Sequence, residues 1–160
     1  MFINQICNHV IANAINNNIE LLATVPSLAF NYAFNGNNQD GFNSLKAFPL
    51  GEPAIATSPY YSVLYAEYVL HGPFLLGEPA IATCSRYALR YACQVLKKKF
   101  PLGEPVIAAK ADDSYYYAID FGEFPLGESA IATSPYYSQY YTKFVLRRDF
   151  YLNGKLICKL

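Results

Sequence analysis

FPLGEPAIATSPYYSVLYAEYVLHGP, residues Phe48 to Pro73, runs directly into FLLGEPAIATCSRYALRYACQVLKKK (Phe74 to Lys99). FPLGEPVIAAKADDSYYYAIDFGE (Phe100 to Glu123) and FPLGESAIATSPYYSQYYTKFVLRRD (Phe124 to Asp149) follow without a break. A fixed period of about 26 residues decides the architecture before any other feature. A unit this small cannot bury its own apolar face, so consecutive units must stack and share one interior. The third copy is two residues short, and the shortening fits best after its helix.

Within a unit, numbered from the opening Phe, an aromatic-Pro-Leu-Gly turn leads into Glu-Pro-Ala-Ile-Ala. Proline suits the first helical position, where it has no donor to lose, so Pro53, Pro79 and Pro105 mark a helix start. That places Glu52, Glu78 and Glu104 at the N-cap beside the positive end of the helix dipole, and Glu128 holds the same repeat position in the fourth copy. A second start follows at Ser58-Pro59 and Ser134-Pro135, opening a helix of about three turns. Along it, positions 14, 15, 18, 19, 22 and 23 stay alike among the copies, whereas 13, 16, 17, 20 and 21 drift. At 100° per residue the two sets fall on opposite sides of a helix. Position 18 is always tyrosine: Tyr65, Tyr91, Tyr117 and Tyr141. A β/α horseshoe, with Pro-Ala-Ile-Ala as a strand, is the competing architecture. It lacks the LxxLxLxxN pattern, and Ala-Ile-Ala is a poor strand. The expected fold is all-α, a short helical-repeat solenoid of right-handed type with one single-turn and one three-turn helix per repeat.

Both ends read as degenerate caps around a single domain over 1–160. Residues 1–47 comprise an amphipathic cap helix over the first 22 residues, a worn unit and a loop. In the worn unit, LLATVPSLAFNYAFNG (Leu21 to Gly36) aligns with AIATSPYYSVLYAEYV, and NGNNQDGFNSLKA (35–47) reads as the loop. Repeats occupy 48–73, 74–99, 100–123 and 124–149. Residues 150–160 open with FYLNGKLIC, an echo of FPLGEPAIA that stops halfway, and so predict a half-repeat cap.

The segments Gly-Glu-Pro-x-Ile-Ala and Tyr-Ser-x-x-Tyr-Ala-x-x-Val-Leu carry a resemblance. Over residues 48–158 the chain resembles a short tandem repeat, GEPxIA…YSxxYAxxVL, that recurs in phage, giant-virus and bacterial proteins. The resemblance implies a viral source and brings no catalytic chemistry with it. Asp112-Asp113 in the third copy depart from the pattern.

Composition points to a folded, soluble chain: 53% hydrophobic and 16% aromatic, the aromatics being 15 Tyr and 11 Phe with no Trp. No apolar run reaches the roughly 20 residues of a membrane helix. Cytoplasmic location is expected, in a host cytoplasm for a viral protein. The four cysteines form no CxxC pair, and His9 and His71 have no ligand spacing, so neither metal nor cofactor is expected. No GxSxG, HExxH, P-loop or GxGxxG motif occurs, and an enzyme is not expected. The drifting helix face is unusually aromatic for a surface, which predicts a protein-binding scaffold. Its candidate contact residues are Tyr60, Leu64, Arg86, Arg90, Tyr115, Tyr116, Ile119, Tyr136, Tyr140 and Lys143. Two alternatives stand beside this reading. Residues 1–80 carry one base and five acids, the remainder eleven bases and seven acids, an asymmetry that would favour self-assembly into rings or filaments. Tyrosines near Lys97–Lys99, Arg147 and Arg148 would suit nucleic acid, but the acidic first half leaves no continuous basic stripe.

Overall fold

The computed structural model describes residues 18–35 and 46–160, and over them the chain is all-α apart from one hairpin. A helical stretch over 18–24 precedes α1 (Pro26–Asn35). Each repeat then supplies a short and a long helix: α2 (Glu52–Ile55) and α3 (Pro59–Leu64), α4 (Glu78–Ile81) and α5 (Ser85–Arg90), α6 (Glu104–Ile107) and α7 (Ala111–Phe121), α8 (Glu128–Ile131) and α9 (Pro135–Tyr140). The hairpin β1 (Phe150–Leu152) and β2 (Lys155–Cys158) closes the chain. Each long helix packs on the next in chain order, from α1 through α3, α5 and α7 to α9.

The short helices start one residue earlier than the sequence suggests. Gly51, Gly77, Gly103 and Gly127 are the N-caps, the glutamate is the first helical residue, and the second is proline in three units and Ser129 in the fourth. The glutamate therefore makes no cap bond. Its carboxylate instead accepts the hydroxyl of the position-18 tyrosine in the same unit: Tyr65 to Glu52 at 2.9 Å, Tyr91 to Glu78 at 3.0 Å, Tyr117 to Glu104 at 2.8 Å and Tyr141 to Glu128 at 3.0 Å. The same hydroxyl accepts from the backbone N–H of the opening phenylalanine, Phe48, Phe74, Phe100 or Phe124, at 2.8–3.2 Å. One phenol thus fastens the first turn of its unit to the long helix. Its ring then meets, edge-on or tilted, the phenylalanine that opens the next segment: Tyr65 on Phe74, Tyr91 on Phe100, Tyr117 on Phe124 and Tyr141 on Phe150, with centroids 4.8–5.4 Å apart. All four tyrosines are 0% exposed, as are Ile55, Ile81, Ile107 and Ile131 at position 8. Hydroxyl within the unit, ring to the next: this is the coupling that holds the stack in order.

A second interlock brings the turn of each unit against the long helix before it. The position-4 glycines approach position 15 of the preceding unit so closely that a Cβ has no room. At Gly103 it would lie 2.5 Å from the Phe100 ring and 2.8 Å from the Ala88 Cβ. Position 15 is small throughout (Ala29, Ser62, Ala88, Ser114), and Ser62, Ser114 and Ser138 also donate to the carbonyl of the position-8 isoleucine at 2.9–3.0 Å. Gly103→Ala is expected to destabilise the protein by about 1–3 kcal/mol through overpacking. An unshifted urea midpoint for this variant would contradict the interlock.

Ser58 and Ser134 accept from the N–H groups of Tyr61 and Tyr137, as capping residues should. The far ends of the long helices bring an unforeseen device. After α3, α5 and α9 the chain widens into π-type turns, Tyr65–Leu70, Tyr91–Leu96 and Tyr141–Leu146. They stop at His71, Lys97 and Arg147, all left-handed with φ of 50–54°. The third unit has no such turn: α7 runs as a regular helix to Phe121 and closes at Gly122. One of the two missing residues therefore comes out of the helix end and the other from the turn after it, where 122–123 stand in place of 71–73. Nine residues separate tyrosine from the next phenylalanine in three units and seven in the third, yet the ring contact is kept. The wide turn absorbs part of the extra length.

The worn unit aligns as expected. Ala29 and Ala33 are buried at positions 15 and 19, and Tyr32 stacks on Phe48 at 4.6 Å. Most of the expected N-terminal cap helix (1–17) and of the loop (36–45) lies outside the described residues. The half-repeat expected at 150–160 is not formed. Phe150 keeps its place on Tyr141, but Asn153 and Gly154 adopt φ of 50° and 76° and turn the chain into an antiparallel hairpin. Asn-Gly with positive φ at both residues matches the twist of paired strands, and the proline and short-helix start of the full units are missing here.

Candidate interaction face

Helical spacing sends the drifting positions outward, and most of the residues expected there reach the surface. Tyr60, Tyr116, Ile119 and Tyr136 are 44%, 53%, 45% and 58% exposed, and Arg86 and Lys143 are also exposed. Leu64, Arg90 and Tyr140 are half-buried. Tyr115 is a correction: it is 9% exposed and belongs to the core edge. Position 16 turns toward the neighbouring long helix, so Val63 is buried as well, whereas Gln139 in the last unit is exposed.

The rings on this face form two runs. One crosses the first units: Phe30 to Tyr61 at 5.7 Å, Tyr61 to Tyr60 at 4.9 Å, Tyr60 to Tyr87 at 5.8 Å, with Phe34 against Tyr68 at 6.1 Å. The other joins Tyr115, Tyr116, Tyr137, Tyr136, Tyr140 and Phe144 through ring contacts of 4.6–6.4 Å. Phe144, 47% exposed, extends the patch and was missed by the sequence reading, although it lies one helical turn beyond Tyr140. Beside it Gln139, Tyr140, Lys143 and Phe144 line a shallow hollow of about 160 Å³. Lys143 Nζ lies 5.3 Å from the Phe144 ring centroid.

Between the two runs the face is polar. Arg90 donates to Glu67 at 2.9 Å and to the Tyr68 hydroxyl at 3.2 Å, clamping the first unit to the second. Cys93 is half-buried, and burial together with the Asp120 carboxylate pushes its thiol up to about 12, so it stays protonated near neutral pH. Tyr136 is raised above the ordinary tyrosine value chiefly by its bond with Tyr140, and Tyr115 by burial.

The other residues singled out by the repeat sit elsewhere. Tyr65, Tyr91, Tyr117 and Tyr141 are interior, their hydroxyls held protonated well beyond the usual range by burial, with the partner glutamate acting in the same direction. Glu52, Glu78, Glu104 and Glu128 are half-buried and occupied by those hydroxyls. Among the described residues no three His, Cys, Asp or Glu side chains gather as a metal site would need, and no helix is long and apolar enough to cross a membrane. In comparisons with known proteins, no family model, no curated protein and no solved structure matches the chain.

Proposed function

We propose that this chain is a non-catalytic repeat scaffold that docks a protein partner through the outward faces of its long helices. The observation that carries the reading is the exposed aromatic run of Tyr116, Tyr136 and Phe144 beside Ile119, each 45–58% open to water. Exposed aromatic surface held on a rigid helical frame is what protein contact sites use, because a ring gives large contact area for little lost side-chain freedom. The recurrent glutamates, the best acid–base candidates by their repetition, are engaged by buried tyrosines and serve the fold. Resemblance to a viral and bacterial repeat, with a composition rich in Asn, Ile, Tyr and Phe, supports a virus-encoded protein acting in the cytoplasm of its host.

Affinity capture from host cells with the wild type and with a Tyr116→Ala/Tyr136→Ala/Phe144→Ala variant tests this reading. The variant is expected to keep its helical circular dichroism and to bind the captured partner at least about 30-fold more weakly, the loss of one strong contact residue. Equal affinity of both proteins would refute the assignment of this face. Binding to oligonucleotides with steep salt dependence would instead move it to nucleic acid.

A further inference from the structure

Positions 2 and 3 of the repeat are Pro49-Leu50, Leu75-Leu76, Pro101-Leu102 and Pro125-Leu126. They stand between a buried phenylalanine and a buried glycine, yet they point outward. Leu50, Leu76, Leu102 and Leu126 are 53–55% exposed and Leu75 is 73% exposed. The core roles in this turn belong to its neighbours, and the exposed helix positions have drifted freely among the copies. Leucine at position 3 has not drifted, although the fold leaves more than half of it in water. The turn at 75–77 rests on α2, and the turn at 125–127 rests on α6, so equivalent leucines form a row along the edge where units join.

We propose that this leucine edge is an isologous interface between two copies of the chain, paired antiparallel. A row with the period of one unit is matched in spacing by another copy of itself. A two-fold axis between Leu76 and Leu102 sets Leu50 opposite Leu126 of the second copy, and Leu76 opposite Leu102. Charge selects the direction. The first 80 residues carry one base and five acids, net −4, and the last 80 carry eleven bases and seven acids, net +4. Antiparallel pairing brings opposite halves together. Parallel pairing in register would bring the triplet Lys97-Lys98-Lys99, exposed and close in the chain to Leu102, against its own copy. In the antiparallel arrangement that triplet meets the turn between the first and second units, uncharged from Pro73 to Gly77 and followed by Glu78. This edge uses none of the residues assigned to the aromatic face, so different variants test the two assignments.

Sedimentation of the full chain over a concentration series tests the pairing. The wild type is expected to approach a dimer and stop there, with self-association weakened by added salt. Leu76→Ser/Leu102→Ser is expected to weaken dimerisation about tenfold or more with the same helical circular dichroism, whereas Tyr116→Ala/Tyr136→Ala leaves it unchanged. A wild-type monomer at every concentration, growth beyond the dimer, or a dimer indifferent to the leucine changes would overturn the proposal. Orientation is read by short-spacer amine cross-linking of mixed isotopically light and heavy chains, where intermolecular Lys46–Lys46 links, between residues that the antiparallel pair holds three units apart, would show parallel pairing and overturn it too.

Discussion

Tyr91→Ala is expected to destabilise the protein by about 4 kcal/mol, within the range for removing a large buried ring. Three losses combine at this residue. The ring is 0% exposed, so its removal leaves a cavity in the shared interior. Its edge-on contact with Phe100, at 5.1 Å, is one of the contacts that join the second unit to the third. Its hydroxyl is the acceptor for the buried Phe74 N–H and the donor to Glu78. Tyr91→Phe separates these effects, since it keeps the ring and deletes only the hydroxyl. An orphaned buried N–H costs about 1–3 kcal/mol, so the phenylalanine variant should fall between wild type and alanine in urea denaturation. Because units in an array couple to nearest neighbours, the alanine variant should also broaden the transition as the two halves of the stack separate. A Tyr91→Phe protein as stable as wild type would show that the hydroxyl network adds nothing.

Alkali should unfold the protein abruptly. Tyr65, Tyr91, Tyr117 and Tyr141 all have values raised well above the ordinary 10.0, first by burial and then by their glutamates. For a group that holds its proton more tightly when folded, the folded state is fully favoured below the unfolded value, and stability is lost as pH rises past it. Above about pH 10 the unfolded chain releases four protons that the folded chain retains. Linkage then removes about 5 kcal/mol per pH unit, four times the 1.36 kcal/mol of a single group. A domain of ordinary stability would be unfolded within about one to three pH units. Helical circular dichroism and phenolate absorbance, followed together, should show the buried tyrosines ionising only as the helices melt. Gradual ionisation of all 15 tyrosines with the helices intact would contradict the burial of their hydroxyls.

The repeat made much of this fold legible, because helical geometry imposes itself on every copy at once. Constancy at positions 15, 18 and 19 against drift at 13, 17 and 20 separates the inner from the outer face, and the structure buries the first set. What lay beyond the sequence depends on contacts between distant positions. The glutamate's partner stands 13 residues away, and no local rule links the two. The π-type turn answers a length mismatch that only the ring-to-ring contact reveals. Tyr115 was placed on the surface because position 16 drifts, but the neighbouring unit covers that position wherever another long helix follows. At the C-terminus the sequence held two signals, the Phe-x-Leu echo of a repeat and the Asn153-Gly154 hairpin turn. Phe150 obeys the first and the rest of the segment obeys the second, since without proline and the glutamate start the short helix has nothing to set it.

Native-state hydrogen exchange at the backbone amides of Phe48, Phe74, Phe100 and Phe124 tests the central coupling most directly. These residues open surface turns, and only the bond to a tyrosine hydroxyl gives each amide its acceptor. Protection approaching that of the long helices is expected at all four, with Tyr91→Phe releasing Phe74 while Phe124 stays protected. Rapid exchange at these amides in the wild type, at the rate of open turns, would contradict it.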